Sequence, residues 1–383
     1  MIPAWIDPAG SASVVGWDGA VLTVTDAPCH QHMAWDLTLR LRPGAPAFTL
    51  RVAPKSFVCH PNYPDGHDPA AALARMLHGR DAVGAWRPLA ARQDGRDALA
   101  DIPAGLHAVA LGLPWLVEDH AAVLAWIRSR PELVLTPRGR ATHGAALQTV
   151  RTGARPGDGA YAGSILVIAG QHHSEWAGMR AAEALLHWLV ESPEGAASRR
   201  RFAWHVVPCA NPDPLVDPAR DDPGNLNRDW GSWTRPESMA IRDTWLEAST
   251  AGEHLLHALD LHMGWSRPDD DGACITTYDP ATGLDHWIGP QAAMAHALQA
   301  SAGMPRRLWP VDRPENTSFS DWCGGAWGAH AQTIEFSRLA WPDGQGGWTP
   351  PTPALEAGVG VAIGRVLSAW DWTRQPLAGR LRP

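Results

Sequence analysis

The sequence predicts an α/β protein in which a mixed β-sheet is flanked by helices on both faces and preceded by a small all-β sandwich. Two observations predict this fold class. After about residue 112, apolar strand-like runs alternate with segments of helical spacing, as in sheets covered by helices. Before that point, short apolar runs are separated by Gly- and Pro-rich turns, as in sandwiches. The chain of 383 residues is long enough for two domains, which we place at residues 1–110 and 111–383.

The sandwich strands are expected at 20–24, 34–43 and 47–54, where apolar residues alternate or run together. The last two runs are split by the turn signal PGAP at 43–46. The segments AVGAWRPL and GLHAVALGL are candidates to complete this domain.

The second part begins with a helix at 116–130, because Leu116, Leu124 and Ile127 recur on one side. Alternating elements follow it. The predicted strands are 164–169, 203–208, 255–262 and 331–336, and the predicted helices are about 176–191, 237–249 and 290–301.

The composition excludes several classes of protein. A net charge of −8 argues against nucleic acid as a partner, because phosphate binding needs a basic face. No run of eighteen apolar residues exists, so we expect no membrane span. Five scattered cysteines without a C-x-x-C pair favour free thiols in a reducing compartment, and the first residues lack the pattern of a secretory signal. We therefore expect a cytoplasmic protein.

Chemically reactive residues follow the predicted strands. His172 and Glu175 come after the 164–169 strand, His262 ends the 255–262 strand, and Glu335 lies in the 331–336 strand. A catalytic zinc takes three nitrogen or oxygen ligands and keeps a fourth position for water. His172, Glu175 and His262 supply that set. Glu335 is then the candidate for the carboxylate that takes the proton of the water.

Each of these residues also has a structural interpretation. An isolated H-x-x-E pattern is weak evidence for a metal, and a single His262 is more often a hydrogen-bonded core residue. His173 is interpreted as a neighbouring or exposed residue, and His254 and His257 as structural. The joint placement at strand ends favours the metal.

Several ordered motifs resemble the zinc carboxypeptidases over about residues 112–340. The segment QHHSEWAGMRAAEALL is similar to their H-x-x-E segment, VVPCANPDP to V-x-P-x-x-N-P-D-G, and GNLNRDW to N-x-N-R-x-W. DLHMGW resembles the segment of the third ligand, and TIEFSR the strand of the general base. Upstream, LPWLVEDHAAVLAWIRSRPEL and RGRATHGAALQTV resemble the first helix and the first strand pair. The β-rich start is similar to the sandwich of the cytosolic carboxypeptidase subfamily.

The resemblance implies one zinc ion per chain at His172, Glu175 and His262, with Glu335 activating water. It implies that Arg228, beside Asn227, binds the C-terminal carboxylate of a peptide or protein substrate, a role that suits the two-pronged guanidinium. Arg220 falls where the family keeps an arginine for the oxyanion, although an ion pair with a neighbouring aspartate is the alternative.

Some features depart from the family pattern. Pro214 replaces the glycine of N-P-D-G, Ala145 follows Gly144 in the first strand pair, and no tyrosine occurs between 279 and 334, where the family keeps an active-site Tyr. These departures bear on substrate choice more than on hydrolysis. Basic residues that could select a C-terminal glutamate are Arg306, Arg307 and Arg313, which equally suit a solvated surface.

Three functions follow in order of preference. The first is a zinc carboxypeptidase. The second is an amidohydrolase of the aspartoacylase or succinylglutamate-desuccinylase kind, which the spacing of eight residues from Arg220 to Arg228 suits. The third is a binding protein without activity, which we would expect to have lost a ligand or the base.

Overall fold

The computed structural model describes residues 3–6, 12–26, 37–53, 74, 76–172, 175–217, 225–263, 274–278, 306–310, 318–336, 341–342, 348–349 and 351–372. The amino-terminal part contains ten strands in two five-stranded sheets. One sheet has the order β1-β4-β10-β6-β7 and the other β2-β3-β5-β9-β8. The strands are β1 Ala4–Ile6, β2 Ala12–Trp17, β3 Val21–Asp26, β4 Thr38–Leu41, β5 Phe48–Val52, β6 Leu77–Arg80, β7 Trp86–Pro88, β8 Ala91–Asp94, β9 Asp97–Ile102 and β10 Ala108–Leu111.

The two amino-terminal sheets enclose a common core. Leu39 and Val109 come from one sheet and Leu22 and Leu50 from the other, and all four are buried in a single apolar cluster. This is the packing expected of a sandwich. The strands predicted at 20–24 and 47–54 are therefore confirmed, as are the two segments that were candidates to complete the domain.

The larger part is built on an eight-stranded mixed sheet with the order β11-β12-β14-β13-β15-β18-β16-β17. Its centre, from β14 through β13 and β15 to β18, is parallel, whereas β11, β12 and the β16–β18 pair add antiparallel contacts. The strands are β11 Val134–Arg140, β12 Ala146–Gly153, β13 Gly163–Ala169, β14 Phe202–Val207, β15 Leu255–His262, β16 Cys274–Tyr278, β17 Arg306–Pro310 and β18 His330–Glu335. The pair β19 Trp341–Pro342 and β20 Trp348–Thr349 forms a separate ribbon.

Helices cover this sheet. They are α1 Val117–Arg128, α2 Trp176–Glu191, α3 Pro193–Arg201, the short α4 Asp213–Val216, α5 Pro236–Thr250, α6 Phe319–Trp327 and α7 Pro353–Ala369, and a 3₁₀ turn spans Leu226–Arg228. The strands and helices predicted in this part agree with the observed elements, except that the helix expected at about 290–301 lies outside the described residues. Among the described residues, no helix is long and apolar enough to cross a membrane.

The central strand β13 shows why helices lie on both faces. All its residues are buried, and its side chains alternate between two cores. Ile165 and Val167 pack with residues of α2 and α7, whereas Leu166 and Ile168 pack with residues of α5 and α6. A strand buried on both faces has to be apolar throughout, which is why 164–169 reads as a continuous apolar run. The predicted fold class is confirmed.

Ion pairs join the sandwich to the first helix of the larger part. Nη2 of Arg80 lies 2.7 Å from Oδ1 of Asp119, and Nη2 of Arg40 lies 2.7 Å from Oε1 of Glu118. Strand β10 ends at Leu111 and belongs to a sandwich sheet. The division of the chain at residue 110 stays our proposal.

Candidate metal centre

The candidate residues meet at one edge of the large sheet. The parallel strands β13, β15 and β18 end at Ala169, His262 and Glu335, and their carboxyl ends therefore lie side by side. After β13 the chain turns at Gly170, whose φ is +67°. A Cβ there would lie 2.9 Å from Sδ of Met179, so this turn needs glycine. The turn carries the following polar residues across the sheet edge.

Three side chains converge at this edge. Oε1 of Glu175 lies 3.0 Å from Nδ1 of His172, and Oε2 of Glu175 lies 2.8 Å from Nδ1 of His262. One ligand atom from each residue lies within 4.8 Å of the other two. Glu175 and His262 are buried, and His172 is partly buried. The structure thus brings together the three residues that the sequence predicts as metal ligands.

The second nitrogen of each imidazole has an oxygen partner. Nε2 of His172 lies 2.7 Å from Oδ1 of Asn225, and Nε2 of His262 lies 2.7 Å from Oδ2 of Asp260. Both oxygens are acceptors, so each imidazole donates from Nε2, and Nδ1 is the nitrogen that faces Glu175. Metal-ligating histidines are held in this way in proteins, by a carboxylate or carbonyl on the far nitrogen.

The donor set fits a zinc ion. Two imidazole nitrogens and one carboxylate are a known three-ligand set of catalytic zinc. Oε2 of Glu175 is buried and has no partner with hydrogen-bond geometry among the described residues, although Nδ1 of His262 is close. A cation between the two atoms would satisfy both.

Electrostatics point the same way. Burial acts to lower the pKa of His262, but Asp260 and Glu175 outweigh it and raise the pKa well above its usual value. Burial acts to raise the pKa of Glu175, but the imidazoles of His262 and His172 lower it well below its usual range. The carboxylates of this cluster therefore favour a positive charge between them, either a proton or a metal ion.

Glu335 lies beside the candidate ligand His262 in the sheet. It pairs in register with His262 across the parallel strands β15 and β18, and side chains of such partners project from the same face. Burial raises the pKa of Glu335 to about 7, with Glu175 and Asp260 adding to the rise and His262 and His172 opposing it. A carboxyl group whose pKa is near neutrality suits general-base work.

The residues expected to bind substrate lie in the segment before α5. Asn227 is buried, accepts a hydrogen bond from the Phe319 amide at 2.9 Å, and places its amide nitrogen 3.2 Å from Nε2 of His262. Arg228 is exposed, and its Nη1 donates to the Asn227 carbonyl at 2.6 Å. Arg220 and His173 lie outside the described residues. The roles of Asn227, Arg228 and Arg220 toward substrate stay predictions.

Other polar residues singled out in the sequence have structural contacts. Oδ2 and Oδ1 of Asp213 accept from the amides of His143 and Ala145 at 2.5 and 2.8 Å, so the N-P-D segment holds the turn between β11 and β12. Nε2 of His254 lies 3.0 Å from the carbonyl oxygen of Ala162. His257 is buried within β15.

Sequence reasoning assigned no role to Gln171, Asn225, Asp260 or Trp230, whose hydrogen bonds lead to the candidate ligands. Asp260 could have been found, because a residue two positions before His262 in a strand shares its face. Asn225 lies 53 positions from its partner His172. The contacts of Gln171, Asn225 and Trp230 depend on the folded chain, and no local spacing signals them.

Comparisons with known proteins agree with this architecture. A sequence model of the zinc carboxypeptidase family matches residues 126–215, a segment that includes His172 and Glu175. No curated protein matches the sequence.

Solved structures are similar over nearly the whole chain. A metallo-carboxypeptidase from Burkholderia cenocepacia superposes with a TM-score of 0.75 at 19% identity, covering 96% of this chain and 98% of the other. The metallo-carboxypeptidase from Pseudomonas aeruginosa, solved in complex with (2-guanidinoethylmercapto)succinic acid, gives 0.74 at 18% identity, covering 95% and 98%. Carboxypeptidase A from Helicoverpa armigera gives 0.51 at 17% identity over 73% of this chain and 91% of its own. At these identities the likeness establishes the fold.

Proposed function

We propose that this chain is a zinc-dependent carboxypeptidase, which removes the C-terminal residue of a peptide or protein chain; the match of residues 126–215 to the zinc carboxypeptidase family model supports the proposal. One observation carries the proposal. The ligand atoms of His172, Glu175 and His262 lie within 4.8 Å of one another, and Glu335 is the register partner of His262. A three-ligand site with a carboxylate beside it is the arrangement that metal-assisted hydrolysis requires.

His172, Glu175 and His262 would hold one zinc ion per chain. When bound, zinc supplies a Lewis acid that polarises the scissile carbonyl and lowers the pKa of a coordinated water. Glu335 takes the proton of the attacking water and passes it to the leaving amine. Its position beside His262 keeps the carboxylate within the same small space as the ligands, so the proton moves over a short distance.

Two arginines would complete the reaction. Arg228 would bind the C-terminal carboxylate through two parallel hydrogen bonds, which limits cleavage to the last peptide bond. Arg220 would stabilise the negative charge that develops on the carbonyl oxygen. The backbone of Arg228 is anchored by its place in the 3₁₀ turn Leu226–Arg228, next to the buried Asn227. We further propose membership of the cytosolic carboxypeptidase subfamily, from the sandwich that precedes the catalytic part, and a cytoplasmic location.

The test follows the release of single residues. Purified protein is loaded with zinc and incubated with a pool of peptides that end in Glu, Lys or Leu, and the loss of mass is read by mass spectrometry. We expect removal of one residue by the wild type and none by Glu335→Gln. The identity of the released residue also tests whether Arg306, Arg307 and Arg313 line a substrate pocket, because such a pocket should select a C-terminal Glu. Equal rates on the three peptides would remove that idea.

Two results would redirect the proposal. No cleavage of any peptide, together with deacylation of N-acyl amino acids, would indicate the amidohydrolase that the spacing of Arg220 and Arg228 suits. Protein that is purified without zinc and does not bind added zinc would indicate a binding protein on the same fold.

A further inference from the structure

We propose that Trp230 and Gln171 are positioning residues for the metal, acting through Asp260 on the ligand His262. The inference rests on the proposed function, because it concerns the same zinc site. It goes beyond that function by assigning a role to an indole far from the ligand atoms.

A continuous chain of hydrogen bonds leads from the indole to the ligand. Nε1 of Trp230 donates to Oε1 of Gln171 at 3.0 Å. Nε2 of Gln171 donates to Oδ2 of Asp260 at 2.7 Å. The same Oδ2 accepts from Nε2 of His262, also at 2.7 Å. All four residues are buried, so water does not compete for these bonds.

Each link orients the next one. Nε1 of an indole only donates, so it selects the carbonyl oxygen of the Gln171 amide and turns the NH₂ group toward Asp260. Asp260 in turn fixes the imidazole of His262, because Oδ2 holds the proton of Nε2 and leaves Nδ1 facing Glu175. Within the part of the chain that the structure describes, Oδ1 of Asp260 is buried without a hydrogen-bond partner, so the carboxylate depends on the partners of its other oxygen.

Trp230 is suited to be the fixed end of this chain. Its side chain is fully buried, stacks on Trp322 with ring centroids 5.6 Å apart, and meets Phe319 edge to face at 4.9 Å. Buried aromatic contacts of this kind hold a ring in one orientation. It lies in the same segment as Arg228, two residues on.

A second buried tryptophan offers a matched control. Trp245 packs in the same apolar core as Trp230 and is equally buried, but its Nε1 has no hydrogen-bond partner in any described segment. Replacement of either residue by Phe removes similar volume from the core. Only Trp230→Phe also removes a donor to Gln171.

The experiment measures zinc affinity in a competition titration with a chromophoric chelator, using wild type, Trp230→Phe, Gln171→Met, the double variant and Trp245→Phe. Outer partners of a ligand typically change metal affinity about 10- to 100-fold. We expect Trp230→Phe and Gln171→Met to raise the Kd for zinc by about tenfold or more, and Trp245→Phe to leave it unchanged. The visible spectrum of the Co²⁺-loaded protein should change with the same two substitutions. Circular dichroism checks that each variant folds. If Trp230→Phe does not fold, the comparison of Gln171→Met with the wild type tests the proposal.

The double variant tests the chain itself. If Trp230 acts only through Gln171, the loss in the double variant should equal the loss in Gln171→Met alone. If the Kd for zinc in the double variant instead rises by the product of the two single-variant factors, the two residues act independently and the proposed chain of hydrogen bonds is wrong. Equal zinc affinity in Trp230→Phe and Trp245→Phe, with tight binding by the wild type, would overturn this inference alone. Failure of the wild type to bind zinc would overturn the proposed function as well.

Discussion

His262 and Glu335 are register partners on the adjacent parallel strands β15 and β18. Hydrogen bonds of the sheet therefore set the distance between the residues that we propose as third ligand and general base. The Phe336 amide, one residue after Glu335, donates to the His262 carbonyl at 2.9 Å and extends the pairing beyond the strand ends. A ligand and a base on rigid neighbouring strands keep their relative position during a reaction.

Glu335→Gln should strongly reduce peptide hydrolysis and leave the metal in place. The amide keeps the shape of the side chain but cannot accept the proton of the water. We expect kcat/KM to fall by about 10²- to 10⁴-fold, with zinc content unchanged by elemental analysis. Activity of the variant within a few-fold of wild type would assign the proton transfer to another group. Loss of zinc would show that Glu335 supports the ligands instead.

Arg228→Met should weaken the binding of peptides with a free C-terminal carboxylate. Loss of hydrogen bonds to a charged group costs about 1.5–3 kcal/mol, so we expect KM to rise about 10- to 100-fold with a smaller change in kcat. Steady-state kinetics on one peptide measures this. Arg365→Met is the control, because Arg365 is exposed and pairs with the exposed Glu194. Equal KM values in the two variants would remove Arg228 from substrate binding.

Helix α2 approaches the strand that carries His262 at one glycine. A Cβ on Gly178 would lie 2.5 Å from the carbonyl oxygen of Leu261. Gly178→Ala must therefore push α2 away from β15, and overpacking of this kind costs about 1–3 kcal/mol. We expect that loss in the free energy of unfolding by urea, with weaker zinc binding because His262 follows Leu261.

Gly358 is the control for that substitution. It lies inside helix α7, and apart from its own helix backbone and chain neighbours no heavy atom of the described residues lies within 4 Å of a Cβ built on it. Gly358→Ala should stabilise the protein by roughly 1 kcal/mol, since alanine favours a helix over glycine. The two glycines should thus give effects of opposite sign. A stabilising Gly178→Ala would show that the helix tolerates a shift without loss of packing.

Much of the larger part of the chain could be predicted because its strongest signals are local. Strand β13 is apolar throughout, α2 begins directly after Glu175, and the reactive residues stand where strands end. Helix α7 could not be predicted in the same way. Its interior contains Gly358, Gly360 and Gly364, which lower helix propensity.

Tertiary packing accounts for α7. A Cβ on Gly360 would lie 2.0 Å from the carbonyl oxygen of Ala181, and one on Gly364 would lie 2.4 Å from the ring of Trp188. These glycines let α7 lie closely on α2, so the helix depends on contacts between residues far apart in sequence. The partners of the ligands, such as Asn225, were missed for the same reason.

Glu253 should make stability depend on pH below about 4.5. Its Oε1 accepts from Nη2 of Arg151 at 2.8 Å, and its Oε2 accepts from Oγ of Ser164 at 2.6 Å and lies 2.7 Å from Nε2 of His205. Burial acts to raise the pKa of Glu253, but these partners lower it from 4.5 to about 2. The folded-state pKa lies below the unfolded one, so the stabilisation is complete above pH 4.5 and is lost as the pH falls towards 2.

Glu253→Gln measures that contribution. Removal of one partner of a buried ion pair costs about 3–5 kcal/mol. In urea at pH 7, the free energy of unfolding of Glu253→Gln should therefore be lower than that of the wild type by about 3 kcal/mol. The gap should narrow at pH 3, where the wild-type carboxylate loses much of its advantage. Glu191→Gln is the matched control, because Glu191 also pairs with a histidine and an arginine, His187 and Arg130, but at a half-exposed position. Solvent screens such pairs, so Glu191→Gln should cost less than about 0.5 kcal/mol at either pH. A gap for Glu253→Gln that stays constant between pH 7 and pH 3 would contradict the lowered pKa.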